Sequence, residues 1–182
     1  MGAGVHSLGY FLFEVSDLDA WDHFLTQVIG VERGEALGEE LVPYRTDDRA
    51  ARILLRSGPA DDLIALGFEV ADEHALAKVV ADVRGAGHAV QPAAGDEARA
   101  RGVADFATTF EPGGVALELF YGPLLAETPL RRDLVRAGFV TGDQGVGHLA
   151  LRANDVARTR AYFEEVLSFA LSDHIRCTLP GD

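Results

Sequence analysis

The chain has a single cysteine, Cys177, a single lysine, Lys78, and no apolar run long enough to span a bilayer. One cysteine excludes an internal disulfide framework and fits a reducing compartment, so a cytoplasmic protein is expected. Nucleic acid and anionic membranes are held by clustered Lys and Arg; a net charge of -13 argues against either as a partner. The N-terminus lacks a basic segment and carries Glu14 inside its apolar stretch, which reads as a strand and not a signal peptide. What is abundant is apolar: 48% of the 182 residues are hydrophobic, enough for a soluble globular core.

That apolar content is organised as a repeat. Phe13-Glu14-Val15-Ser16-Asp17 recurs as Phe68-Glu69-Val70-Ala71-Asp72, and more loosely as Leu151-Arg152-Ala153-Asn154-Asp155. Each copy ends a strand and opens a helix. Behind the first, Leu18, Trp21, Phe24, Leu25, Val28 and Ile29 trace one face of a 3.6-residue period. Val156, Thr159, Tyr162, Phe163, Val166 and Leu167 fall at the same offsets behind the third. Function is therefore sought where one copy differs from the others.

The spacing predicts unit one as a strand over 8–15, a helix over 18–29 capped by Ser16 or Asp17 and stopped by Gly30, and strands over 41–45 and 52–56. Unit two is a strand over 63–70, a helix over 72–85, and strands over 88–91, 103–110 and 115–121, the last two joined by the turn Glu111-Pro112-Gly113-Gly114. The fold class expected is α+β, built from paired βαβββ modules. Residues 1–122 then form a two-module domain and 123–144 an interdomain linker. Residues 145–182 begin a third unit, with a strand over 146–153, a helix over 155–167 and a further strand from 172 to 179. It is expected to be completed beyond Asp182 or by another chain. Left uncovered, Leu149, Leu151, Tyr162, Phe163 and Val166 are expected to drive pairing of copies, so a homo-oligomer is anticipated.

Alternation along the strands places Tyr10, Ala65 and His148 at equivalent positions on the concave side, away from the helices. Only the third unit offers a metal-binding atom there. A lone histidine in an apolar strand is more often a hydrogen-bonded cleft residue than a ligand. No second histidine or carboxylate lies at a local ligand interval, and His6, His23, His74, His88 and His174 read as surface residues. Glu118 is a carboxylate without a neighbouring imidazole and reads as structural.

Three segments carry a resemblance. Leu8-Gly9-Tyr10 running to Val15-Ser16-Asp17, Leu117-Glu118-Leu119-Phe120-Tyr121-Gly122-Pro123, and Gly145-Val146-Gly147-His148-Leu149 followed by residues 166–173 resemble type I extradiol ring-cleavage dioxygenases. These belong to the vicinal oxygen chelate superfamily, and the similarity covers essentially the whole chain. It implies an N-terminal module pair that has lost its metal site. It also implies a C-terminal pair holding Fe(II) in a set of two histidines and one glutamate, which leaves coordination positions for a catechol and O2. His148 matches the first metal ligand; the other ligands and the family's catalytic residues have no counterpart in the sequence. Ala150, on the same face, and Cys177 are expected to line the substrate pocket. The implied partners are a catechol-type aromatic and O2. The alternative is a metal-free small-molecule or antibiotic-binding protein on the same scaffold.

Overall fold

The computed structural model describes residues 4–131, 133–141 and 145–174. Its centre is one eight-stranded sheet in the order β2-β3-β4-β1-β5-β8-β7-β6. Unit one supplies β1 (Ser7–Val15), α1 (Leu18–His23), β2 (Glu32–Arg33), β3 (Leu41–Arg45) and β4 (Ile53–Ser57). Unit two supplies β5 (Asp62–Glu69), α2 (Glu73–Gly85), β6 (Gln91–Pro92), α3 (Glu97–Arg101), β7 (Val103–Phe110) and β8 (Ala116–Pro123). β1 runs parallel to β4 and β5 parallel to β8, while β1 and β5 join the two units antiparallel. The expected βαβββ pair is therefore present: the two-residue strand β2, not foreseen from the spacing, completes the three strands of unit one, and the short helix α3 is an addition in unit two.

Local chemistry explains the element ends. Asp17 Oδ1 accepts from the Ala20 N–H at 2.9 Å and Asp72 Oδ1 from the Ala75 N–H at 2.8 Å, each satisfying a donor at a helix start. α1 continues as a π-helical turn over Phe24–Ile29 that ends at Gly30, whose φ of 84° suits glycine.

The sheet separates two apolar layers. On the helix side, Leu66, Phe68 and Val70 pack with Leu76, Val79 and Val83 of α2, and Val15 and Leu55 pack with Leu25 behind α1. On the other side Tyr10, Leu12, Leu54, Ala65, Phe106 and Phe120 form a second core. The simple alternation expected for β1 and β5 is interrupted twice. Pairing skips Gly9 between Leu8 and Tyr10, and skips Ile64 where Ala65 and Leu63 face Leu12 and Phe13. A bulge shifts the alternation by one residue, so Leu8 joins the helix-side core and Ile64 packs with the concave one, against expectation. Gly9 is needed there, because a Cβ would lie 2.3 Å from Phe120 Cζ.

The segment after β8 is stitched to both units, to unit two at Gly102 and to unit one at Ala50 and Asp48. Leu124 N–H donates to Gly102 O at 2.8 Å, Leu124 O accepts from Ala50 N–H at 2.9 Å, and Ala126 N–H donates to Asp48 O at 2.8 Å. The buried Arg45 adds a 2.8 Å bond from Nη1 to Thr128 O.

Unit three departs from expectation. Residues 146–153 form no strand; their one sheet-like tie is a bridge from Gly145 to Leu8, with the Val146 N–H donating to Leu8 O at 2.9 Å. A strand needs a hydrogen-bonded neighbour, and no described element flanks this segment. Residues 172–174 are likewise outside any strand, and 175–182 lie outside the described residues. The helix does form, as α4 (Val156–Ala161) and a π-helical turn Tyr162–Val166, with Asp155 accepting from the Arg158 N–H at 3.0 Å. Its apolar stripe is not the free surface expected. Tyr162 and Leu167 are buried against unit two, and Phe163 and Val166 pack beside them. Leu149 and Leu151 are exposed.

Candidate functional site

Tyr10 and Ala65, expected at equivalent positions on the concave side of the two units, both lie in the core on that side. No imidazole joins them. Tyr10 donates from its hydroxyl to Glu118 Oε2 at 2.5 Å, and Arg101 Nη2 donates to Glu118 Oε1 at 2.8 Å, with Nε reaching both carboxylate oxygens at 3.2 Å. The guanidinium also lies 4.8 Å from the Phe106 ring centroid. Glu118 is 3% exposed and comes from β8; Arg101 comes from α3, the helix the sequence pattern missed. Burial, then the adjacent Glu118 carboxylate, pushes the Tyr10 phenol well above its usual range, so it stays a donor. Burial opposes the charge on Arg101, but its bonds to Glu118 outweigh this and raise its pKa. A buried carboxylate needs a cation, and here a guanidinium provides it. The structural reading of Glu118 holds: its lone pairs are committed inside the protein.

His148 lies elsewhere, exposed in the segment between Gly145 and α4. Together with Gly147 and Leu149 it lines a cavity of about 640 Å3 between unit three and the helix side of unit two, faced by Leu66, Phe68, Phe163 and Phe169. Phe68, Phe163 and Phe169 meet edge to face, with centroids 5.2 to 6.4 Å apart. His6 and Ser7 bring polar groups to the same cavity. Ala150 is exposed and is not among the lining residues; Cys177 lies outside the described residues. Among the described residues no three His, Cys, Asp or Glu side chains gather closely enough to hold a metal ion. His148 alone cannot fix one, so the described residues do not by themselves form an iron site.

Residues 8–58 match the family described as dihydroxybiphenyl dioxygenase BphC D1. The chain is 41% identical over 174 residues to a biphenyl-2,3-diol 1,2-dioxygenase of Pseudomonas sp. (strain KKS102), covering 94% of this chain and 58% of that protein. It is 40% identical over 180 residues to the enzyme of the same name from Paraburkholderia xenovorans (strain LB400), covering 98% of this chain and 60% of that one. Among solved structures, a catechol 2,3-dioxygenase superposes with a TM-score of 0.82 at 30% identity, covering 91% of this chain and 56% of the other. The chain spans about three-fifths of the length of the curated relatives it matches. The chain is thus similar along nearly all of its residues to extradiol ring-cleavage dioxygenases, and its paired βαβββ units have the α+β fold of the structures it superposes on.

Proposed function

We propose that this protein takes part in extradiol cleavage of a catechol-type aromatic ring with O2, in the breakdown of aromatic compounds, with Fe(II) as the metal. The observation that carries this is the 40 to 41% identity, over 94 to 98% of the chain, to two enzymes named biphenyl-2,3-diol 1,2-dioxygenase. In this reading His148 is one iron ligand, with further ligands outside the described residues, and Ala150 and Cys177 stand beside the substrate. The module pair 1–122 is the domain without metal: its buried carboxylate is already neutralised by Arg101. Residues 123–144 connect it to a metal-binding domain that begins at 145. A homo-oligomer and a cytoplasmic location complete the proposal. Among the described residues no helix is long and apolar enough to cross a membrane.

Iron analysis with an O2-uptake assay on catechol and 2,3-dihydroxybiphenyl tests the reading. Expected are about one iron per active chain, ring-cleavage product, and loss of iron in His148→Ala. A protein that carries iron yet consumes no O2 with any catechol would sink it.

A second reading has one observation in its favour. The described residues gather no metal cluster, and the apolar cavity beside Phe68 suits a small aromatic ligand without chemistry. Binding of catechols without iron or O2 consumption would favour it.

A further inference from the structure

The bulge at Gly9 turns a backbone group toward the segment that carries His148. β5 runs along one edge of β1 from Ser7 to Glu14, so that edge is taken. On the opposite edge β4 begins its pairing only at Phe11, whose N–H donates to Arg52 O at 3.0 Å. Backbone groups that face one edge of a regular strand lie an even number of residues apart. Leu8 is three residues from Phe11, yet its O faces the same edge, where it accepts from the Val146 N–H at 2.9 Å. The bulge produces this odd spacing. Arg52, 3% exposed, holds the bulge in place: Nη1 donates to Gly9 O at 2.9 Å, while Nε and Nη2 grip the Asp47 carboxylate.

The fit beside Val146 is specific. Gly145 has a φ of 63°, and a Cβ there would collide with Leu8 O. Gly147 has a φ of 88°, but a Cβ there meets nothing within 4 Å, so of the two only Gly145 is demanded by a close approach. Leu8 is buried and Val146 packs on the same helix-side core, which fixes both partners of the bond. Two residues of extended chain span at most about 7 Å, so the bond bounds where His148 can stand.

We propose that the module pair positions His148: Leu8 O is the socket, Gly145 the residue that fits it, and Arg52 a positioning residue that sets the bulge. This rests on the reading of His148 as an iron ligand and gives the module pair a part in setting that ligand's place.

The test compares the native protein with Gly145→Ala, Arg52→Lys and His148→Ala. Hydrogen exchange should show the Val146 amide protected about 100-fold or more in the native protein, unprotected in Gly145→Ala and less protected in Arg52→Lys, with the β5–β8 amides unchanged. The Kd for Fe(II) should rise about tenfold or more in Gly145→Ala and in the same direction in Arg52→Lys, which carries the test if Gly145→Ala does not fold. At matched Co(II) loading, the visible absorption bands of the bound metal should shift in both variants. An unprotected Val146 amide in the native protein would overturn the proposal. Lost protection with Fe(II) affinity and Co(II) bands unchanged would overturn it too, leaving the anchor a purely structural tie and the reading of His148 intact. Equal iron in the native protein and His148→Ala would instead remove that reading, and the proposal with it.

Discussion

Tyr10 and Glu118, 108 residues apart in sequence, share a 2.5 Å hydrogen bond at the concave centre of the module pair. Arg101 closes the group from the other side, so one phenol and one guanidinium take up a carboxylate that is almost wholly out of water. The two units are held together here by polar chemistry as well as by the β1–β5 ladder.

Removing the cation should therefore cost more than removing the carboxylate with it. Arg101→Met leaves Glu118 buried and unpaired, a change that costs about 3 to 5 kcal/mol in comparable sites. The double variant Arg101→Met, Glu118→Gln should recover a large part of that loss. Urea denaturation of the three proteins checks it; a double variant no more stable than the single one would show that the pairing carries little.

Gly9 makes a second, purely steric prediction. Gly9→Ala places a Cβ 2.3 Å from Phe120 Cζ and 2.6 Å from Cε1, inside a core of planar rings with Tyr10 and Phe120 5.0 Å apart. Overpacking of this kind costs about 1 to 3 kcal/mol. Phe120→Leu should relieve part of the strain in the same chain while being destabilising alone. Thermal unfolding of the four-member cycle measures the coupling.

The unit order, the two long helices and the Tyr10–Ala65 face were legible because period and capping residues are local signals. Asp17, Asp72 and Gly30 announce helix ends without reference to the rest of the chain. The bulge at Gly9 was not legible, since what forbids a side chain there is Phe120, 111 residues away. Arg101 was missed for a similar reason: α3 is five residues long, too short to show a period, and its function depends on where β8 delivers Glu118. The strand expected at 146–153 failed because a strand pattern specifies a face but not a neighbour. His148 was picked out by its position in the repeat, and among the described residues no cluster of His, Cys, Asp or Glu forms around it.

Acid should weaken the β3–β4 connection. Burial would raise the Asp47 pKa, but the Arg52 guanidinium, bonded at 2.7 to 3.1 Å, holds it below the ordinary carboxylate range. A carboxyl whose pKa is depressed on folding contributes stability above its unfolded pKa of about 3.9, and that contribution is lost as pH falls through the folded value. Arg52 also donates to Gly9 O at 2.9 Å, so the loss reaches the β1 bulge. Asp47→Asn should flatten the decline in stability below about pH 4 relative to the native chain. Parallel slopes in urea titrations at pH 7 and pH 3 would show that Asp47 does not contribute.

The seat of unit three on unit two rests on Tyr162, and its ring and its hydroxyl can be separated. Tyr162→Phe keeps the edge-to-face contacts with His88 at 4.7 Å and Phe163 at 5.9 Å but strands the buried Thr109 hydroxyl, an expected loss of about 1 kcal/mol. Tyr162→Ala also empties a site 2% exposed and should cost about 3 to 5 kcal/mol. If the seat holds unit three in place, the alanine variant should also increase hydrogen exchange along 156–167 while β1 and β5 stay protected. Uniform loss of protection across the sheet would mean instead that unit three and the module pair unfold as one cooperative body.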